Sequence, residues 1–106
     1  MTYAAAMARR SQLRLYTIHP ETAEEWVRLF HAHIQPLREA HGFSVDASYL
    51  SDDHTRFCWI TSHDCPDGWD AAEAAYYASP ERNQLPFTTS DYITGHDVTM
   101  VQPTSA

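Results

Sequence analysis

The chain has 106 residues, of which 43% are hydrophobic and 12% aromatic, enough apolar material for one small folded domain. Its 14 acidic side chains outnumber its 7 lysines and arginines, and the formal net charge is −7. Because such a surface repels phosphate backbones and anionic lipids, neither a nucleic acid nor a membrane is an expected partner. No apolar run approaches the roughly 20 residues of a membrane-spanning helix.

The start of the chain and the two cysteines indicate the cellular compartment of the protein. Residues 1–10 lack an apolar core before a cleavage site, so they are predicted to be a leader rather than a signal peptide. Residues 11–104 are predicted to form a single domain. Cys58 and Cys65 are the only cysteines and do not form a Cys-x-x-Cys pair. They are predicted to remain reduced in a cytoplasmic protein.

The first half of the chain reads as a strand followed by a helix. Side chains alternate over residues 12–18, which is typical of a strand. Over residues 23–41 apolar side chains recur at three- and four-residue spacing, which predicts an amphipathic helix. Thr22 and Glu25 are predicted to form a capping box at its start, and Gly42 to end it. Pro36 lies inside the helix, where proline costs about 3 kcal/mol, so a kink is predicted there.

The second half repeats strand and helix. Residues 43–50 and 55–62 are predicted to form a hairpin around a polar turn. A second helix is predicted to begin with Asp64 as its N-cap and to stop at Ser79-Pro80. Residues 81–90 are predicted to be irregular and residues 91–102 to form a fourth strand. The order β-α-β-β-α-β predicts a ferredoxin-like α+β fold, a four-stranded antiparallel sheet with two helices on one face.

The distribution of apolar side chains on this sheet predicts a homodimer. Both faces carry large apolar groups: Leu13, Leu15 and Ile60 on one, and Tyr16, Phe57 and Trp59 on the other. Two helices cover only one face, and a monomer rarely exposes such a patch. A two-fold pair buries the same surface on both subunits, so a homodimeric α+β barrel is predicted.

A set of segments spread over residues 13–104 resembles the NIPSNAP family. The segments are Leu13-Arg14-Leu15-Tyr16-Thr17-Ile18, Trp26 with Phe30, Ile34-Gln35-Pro36-Leu37, His41-Gly42-Phe43, Ala75-Tyr76-Tyr77-Ala78-Ser79-Pro80-Glu81 and Met100-Val101-Gln102-Pro103-Thr104. The chain departs from the family at His19-Pro20-Glu21, where Lys-Pro-Gly is usual, at Tyr49, in place of a tryptophan, and at Arg82, in place of an aromatic residue. The resemblance implies the dimeric α+β barrel superfamily, which includes cofactor-free monooxygenases, polyketide cyclases, isomerases, lyases and haem enzymes.

Members of that superfamily often have a pocket between the sheet and the helices of one subunit. Applied to this chain, the resemblance implies a pocket of polar and aromatic side chains on the face opposite Leu13. The predicted catalytic residues are His63, His96, Tyr76 and Arg14, and the predicted substrate-binding residues are Tyr16, Phe30, Phe57, Trp59 and Arg82. Either histidine would move a proton, whereas Tyr76 and Arg14 would stabilise oxyanion charge. Tyr76 and Arg82, on either side of Pro80, resemble functional positions of barrel cyclases.

Each candidate also has a purely structural interpretation. Arg14 can pair with an acid, the aromatic residues can be core, both histidines can be structural and Arg82 can be solvated. No metal is predicted, because His31 and His33 are two residues apart on a helix and point to different sides. No cofactor is predicted either, since the 3 glycines are too scattered for a phosphate-binding loop.

Two functions remain open from the sequence. One is a cofactor-free enzyme acting by acid–base chemistry on a small apolar, aromatic or polyketide-like metabolite, of the cyclase, isomerase, lyase or monooxygenase type. The other is a non-catalytic dimeric ligand-binding or interaction module. The fold by itself does not choose between them.

Overall fold

The structure, a computed structural model, describes residues 9–104. The strands β1 (Arg10–Ile18), β2 (Ser44–Leu50), β3 (Arg56–His63) and β4 (Ile93–Val101) form one antiparallel sheet in the order β2-β3-β1-β4. The helices α1 (Ala23–Leu29) and α2 (Gln35–Ala40) follow β1, and α3 (Trp69–Ala78) and α4 (Pro80–Asn83) follow β3. The predicted ferredoxin-like α+β class is confirmed. Residues 1–8 of the predicted leader lie outside the described residues, and β1 begins at Arg10.

The register of the sheet confirms the predicted division into two faces. Tyr16 pairs with Phe57 on β3 and with His96 on β4, whereas Leu13 pairs with Ile60. Tyr16 and Phe57 are buried beneath the helices, at 7% and 1% exposure, while Leu13 and Ile60 are half-buried. The helices therefore cover the Tyr16 face, and no described residue covers the Leu13 face, which we call the open face.

The first helical region is interrupted by a π turn at Phe30–Ile34, between α1 and α2. The backbone N–H of Gln35 donates to the carbonyl of Phe30, and Pro36 follows immediately. Proline has no N–H to donate, and in a regular α-helix its ring clashes with the carbonyl four residues earlier. The predicted disturbance at Pro36 thus takes the form of a π turn, whose wider backbone gives the ring room.

The π turn also decides which side chains face the sheet. Trp26, Phe30, Ile34 and Arg38 follow one another at four-residue intervals, and all are buried. In a regular α-helix three such steps drift by about 120° around the axis. Because the π turn has more residues per turn, it cancels part of this drift. It thereby brings Arg38, which is 2% exposed, into the interior.

The predicted capping box is wrong. Thr22 does precede α1, but it ends a 3-10 turn (Pro20–Thr22) and its side chain makes no cap hydrogen bond. Glu25 does not reach back, because its carboxylate accepts a hydrogen bond of 2.9 Å from the hydroxyl of Tyr92. The carboxylate thus ties the first helix to the segment before β4 instead of to its own N-terminus.

The second helix begins later than predicted. Its N-cap is Gly68 (φ 97°), not Asp64, which pairs with Arg9 at 3.0 Å. Cys65 also has a positive φ of 34°, so the backbone between Asp64 and Gly68 does not continue the helix. Beyond α3, the segment predicted to be irregular contains α4 and a 3-10 turn (Thr89–Asp91). Ser79 caps α4 by accepting a hydrogen bond from the backbone N–H of Arg82.

Within residues 9–104 no helix is both long enough and apolar enough to cross a membrane.

Candidate functional site

A cavity of about 290 Å³ lies between the helix-covered face of the sheet and the helical layer. It is lined by Arg14, Tyr16, Trp26, Phe30, Ile34, Arg38, Trp59, Tyr76, Tyr77, Arg82, Thr89, Ser90, Ile93 and His96. The lining thus includes three arginines and no carboxylate. In a protein with a formal charge of −7, this is a local reversal of sign.

The inner part of the cavity is aromatic. Phe30 and Trp59 pack edge to face with their ring centroids 5.0 Å apart, and Tyr16 meets both Trp59 and Trp26 in the same way, at 6.4 and 6.2 Å. The two tryptophans are 1% exposed and Phe30 is fully buried. These interlocked rings give a stiff, apolar wall suited to the flat body of a small molecule.

Arg14 projects from β1 into this wall and is held on every side. Its Nε donates to the Tyr16 hydroxyl at 2.8 Å, Nη1 to Gln12 Oε1 at 2.6 Å, and Nη2 to the Tyr77 hydroxyl at 3.2 Å. Burial opposes the charge of this guanidinium. The oxygens of Tyr16, Tyr77 and Glu73 outweigh that effect and hold the pKa of Arg14 above its ordinary value. Arg14 is therefore a fixed cation.

Arg38 is a second buried cation, placed in the cavity wall by the π turn. Its Nη1 donates to Glu73 Oε1 at 2.8 Å, and its Nη2 donates to the Tyr77 hydroxyl at 3.1 Å. The guanidinium lies 4.0 Å from the centre of the Tyr76 ring and 4.8 Å from that of Phe43. It is thus held by one carboxylate, one phenol and the faces of four aromatic rings, since Trp59 and Tyr77 lie 5.3 and 5.5 Å away.

Among the described residues, Glu73 is the one acid paired with Arg14 and Arg38. Its Oε1 also lies 3.8 Å from Arg14 Nη1, and its side chain is 17% exposed. Two guanidiniums therefore share a single carboxylate, and the group carries one positive charge in excess. Glu73 and Tyr77 are four residues apart on α3, so both meet the arginines from the same side of that helix.

Tyr76, one of the predicted proton donors, is 1% exposed and lines the cavity. Burial raises the pKa of its phenol, and the positive charges of Arg38 and Arg82 only partly oppose this effect. Tyr76 is therefore a neutral phenol at physiological pH, which can donate a hydrogen bond but cannot act as a base.

The mouth of the cavity is more exposed and holds the remaining polar groups. Arg82, on α4, lies over the rings of Tyr77 and Tyr76, with its guanidinium carbon 5.3 and 6.0 Å from their centres. Its buried Nε has no hydrogen-bond partner among the described residues. His96 lines the same cavity from β4, directly across from Tyr16, and is exposed. It is the one imidazole in the described lining of the cavity.

Most of the predicted site residues meet in this cavity. The lining includes Arg14, Tyr16, Phe30, Trp59, Tyr76, Arg82 and His96. Phe57 does not line it: this ring is 1% exposed and packs against Phe30 and Trp26, with centroids 4.9 and 6.0 Å apart.

His63 lies outside the cavity and has a structural place. The backbone N–H of Cys65 donates to its Nδ1 at 2.7 Å, and its Nε2 lies 2.9 Å from the carbonyl of His41. A neutral imidazole that accepts at Nδ1 carries its proton on Nε2, so it donates to His41. The ring also packs against Phe43 in a tilted arrangement, with 4.5 Å between the ring centroids. His63 therefore links the ends of α2 and β3 instead of facing a ligand.

Arg14, Arg38, Glu73 and Tyr77 form one cluster of paired polar side chains beside the cavity. Three of its members were not predicted from the sequence: Arg38, Glu73 and Tyr77. Arg38 falls off the apolar stripe of a regular helix, and only the π turn rotates it inward. The four-residue spacing of Glu73 and Tyr77 on α3 was a usable signal, because it predicts a shared helix side.

Among residues 9–104 no group of three or more His, Cys, Asp or Glu side chains is placed to hold a metal ion.

Solved structures with the same fold cover nearly the whole chain. An uncharacterised NIPSNAP domain protein from Burkholderia xenovorans superposes with a TM-score of 0.76 and 12% identity, over 91% of this chain and 95% of that one. A NIPSNAP family protein of unknown function from Agrobacterium tumefaciens gives a TM-score of 0.77 and 12% identity, over 90% and 87%. This chain has the NIPSNAP fold. The predicted likeness is thereby confirmed at the level of structure.

A third solved structure has a provisional activity attached to it. It is a protein from Bacteroides thetaiotaomicron provisionally assigned as an antibiotic biosynthesis monooxygenase, with a TM-score of 0.72 and 16% identity over 92% of this chain and 91% of that one. No protein-family sequence model and no curated protein sequence matches the chain. At these identities the comparisons show the fold, and function has to be argued from the cavity.

Proposed function

We propose that this protein is a cofactor-free enzyme that carries out acid–base chemistry on a small aromatic or polyketide-like molecule. The observation that carries the proposal is the composition of the cavity: aromatic walls, three arginines, three tyrosines and a histidine at the mouth, with no carboxylate in the lining. Such a site holds a flat apolar body and stabilises negative charge that develops on an oxygen atom.

The roles follow from where each group lies. His96, exposed at the mouth, accepts a proton from a carbon next to a carbonyl group of the substrate. The electron pair of the broken C–H bond forms a C=C bond and the π pair of the carbonyl moves onto its oxygen, giving an enolate. Tyr76, a neutral phenol, and the fixed cation Arg14 stabilise that oxygen. Return of the proton from His96 to another atom of the enolate completes an isomerisation. In a ring closure the enolate carbon instead attacks a second carbonyl carbon of the substrate, and the oxygen of that carbonyl takes the proton from His96.

The test uses phenylpyruvate, an aromatic 2-oxo acid with exchangeable hydrogens next to its carbonyl. We expect the protein to accelerate exchange of these hydrogens in D2O, followed by proton NMR. Variants His96→Ala and Tyr76→Phe should each lose at least about tenfold of that acceleration, since a positioned acid or base contributes more than this. His31→Ala, at an exposed helix position, is the matched histidine control. Unchanged exchange in both test variants would remove the assigned roles.

We further propose that the active form is a homodimer in the cytoplasm, paired through the open face. Leu13, Leu15 and Ile60 are half-buried there, and Tyr49 on the same face is 66% exposed. A second copy would remove this apolar surface from water. We expect sedimentation at micromolar concentration to give a dimer and Ile60→Arg to give a monomer. Glu24→Arg, at an exposed helix position, should stay dimeric. A wild-type monomer would contradict the pairing.

A non-catalytic ligand-binding module is the second candidate, and one observation favours it. Because His63 is taken up by backbone hydrogen bonds, His96 is the one histidine in the described lining of the cavity. An enzyme of this kind would then depend on a single exposed base. Binding of phenylpyruvate without any acceleration of exchange would favour the module over the enzyme.

A further inference from the structure

We infer that the cavity selects a ligand that is already a monoanion in its resting state, with an oxygen that accepts a hydrogen bond from the hydroxyl of Tyr77. This inference rests on the proposed small-molecule site and specifies the class of compound that fills it. It assigns a recognition role to Tyr77, a residue outside the acid–base roles proposed above.

The hydroxyl of Tyr77 has a hydrogen-bond donor that no described residue uses. A phenol oxygen has two lone pairs and one proton. Arg14 Nη2 and Arg38 Nη2 donate to it at 3.2 and 3.1 Å, which occupies both lone pairs. The hydroxyl can then only donate, and among residues 9–104 it has no acceptor. Tyr77 lines the cavity and is 40% exposed, so a bound ligand can supply one.

Arg14 and Arg38 carry more charge than their shared counter-ion Glu73 can neutralise. Arg14 is 8% exposed and Arg38 is 2% exposed, and both use Glu73 as their counter-ion. One buried positive charge is therefore not neutralised by a described residue. Uncompensated buried charge is costly, and a ligand with one negative charge would neutralise it.

Arg82 supplies the third, independent observation. No described carboxylate lies within ion-pair distance of this arginine, and its buried Nε has no hydrogen-bond partner. It lies over the ring of Tyr77 at the mouth. In a chain with twice as many acids as bases, an arginine without a carboxylate partner beside a cationic cluster indicates a place for an external anion.

Together these observations define the ligand by its chemistry. Its body is flat and apolar, matching Trp59, Phe30 and Tyr16, and its polar end is a carboxylate or an acidic enol ionised at neutral pH. One negative charge matches the excess on the buried pair Arg14 and Arg38, while Arg82, half-buried at the mouth, would be a second contact for the same anion. The cavity, about 290 Å³, is large enough for a two-ring compound.

The experiment compares 2-naphthoate with its uncharged counterpart 2-naphthamide by isothermal titration calorimetry on the full chain. We expect the carboxylate to bind at least tenfold more tightly than the amide. Tyr77→Phe should remove most of that difference and leave amide binding unchanged. Tyr92→Phe, which removes a tyrosine hydroxyl outside the described lining of the cavity, is the matched control and should change neither value. Because Tyr77 is partly exposed, its variant is expected to fold.

A second variant gives a change in the opposite direction. Glu73→Gln removes the carboxylate that competes for the arginines, so 2-naphthoate should bind several-fold more tightly to it than to the wild-type protein. Equal binding of carboxylate and amide to the wild-type protein would overturn the anion preference while leaving the cavity as a binding site. If neither compound binds, this inference fails together with the proposed small-molecule site. An unchanged preference in Tyr77→Phe would remove the role of that hydroxyl.

Discussion

The dependence of two buried arginines on one carboxylate makes the stability of Glu73→Gln a sensitive measure of the cluster. In the wild-type protein Glu73 Oε1 lies 2.8 Å from Arg38 Nη1 and 3.8 Å from Arg14 Nη1. Glutamine keeps the size of the side chain and one acceptor oxygen but removes the charge. Two buried guanidiniums would then face each other without a counter-ion.

The expected cost follows from the burial of the pair. Removing one partner of a buried ion pair costs about 3–5 kcal/mol, because the other charge is left uncompensated. Since Glu73 is 17% exposed, water screens it in part, and we expect the lower end of that range, about 3 kcal/mol. At a urea dependence of about 2 kcal/mol per M, the unfolding midpoint should fall by about 1.5 M. Arg38→Met in the Glu73→Gln background should restore part of this loss, because it removes one of the two repelling charges.

The assay is urea unfolding followed by tryptophan fluorescence, at one protomer concentration for every variant so that any self-association contributes equally. Trp59 reports on the cluster directly, since the Arg38 guanidinium lies 5.3 Å from its ring centre. Glu24→Gln, at an exposed position in the first turn of α1, is the control, and should change the free energy of unfolding by about 0.5 kcal/mol. If the Glu73 variant unfolds at the same urea concentration as this control, the two arginines do not depend on the carboxylate and the reasoning is refuted.

Three further predictions concern other parts of the molecule. Gly42→Ala should be more destabilising than Gly68→Ala by about 1 kcal/mol in the same unfolding assay. Both glycines have a positive φ, but only at Gly42 would the new Cβ lie 2.9 Å from His63 Nε2. Equal losses of stability in the two variants would contradict this reason. Hydrogen bonds from the Thr55 side chain, the Thr55 backbone and Ser51 lower the pKa of Asp53 to about 2, so these bonds stabilise the hairpin above the ordinary pKa of 3.8 and are lost as the pH falls towards 2. Thr55→Val should therefore raise the pKa of Asp53, measured by carboxyl-carbon NMR, and a wild-type value near 3.8 would count against it. Since burial raises the pKa of Tyr76, Tyr76→Phe should remove a late step from the alkaline ultraviolet titration, and loss of an early step would show that the phenol is not buried.

The sheet could be predicted from the sequence because each strand carries its own alternation. Arg14 and Tyr16 are buried on the helix side and Leu13 lies on the open face, as their period of two requires. The hairpin between β2 and β3 could likewise be predicted, since the polar turn is local. Seven of the nine predicted site residues reach the cavity for the same reason: most lie on these strands or on the regular parts of the helices.

What the sequence could not predict depends on departures from regular geometry. The position of Arg38 requires the π turn, and a single-period reading of the helix puts Leu37 on the inner stripe instead. His63 lies on the predicted face of β3, but backbone groups of His41 and Cys65 happen to lie within reach of its ring and hold it outside the cavity. The carbonyl of His41 belongs to a turn 22 residues away in the chain, and no local pattern indicates that it lies beside this ring.

The π turn gives a residue on the outside of the protein an influence on the charge inside it. Pro36 is exposed and is not among the described residues that line the cavity, yet its ring disfavours a regular α-helix at this point. If another residue replaced it, the helix would be free to tighten, and α2 would turn by up to about 100° relative to α1. Arg38 would then leave Glu73, which would be left to Arg14 alone. The excess positive charge of the cavity is in this sense maintained by a proline at the surface, and a search for the residues that govern ligand choice has to extend beyond those that a ligand can touch.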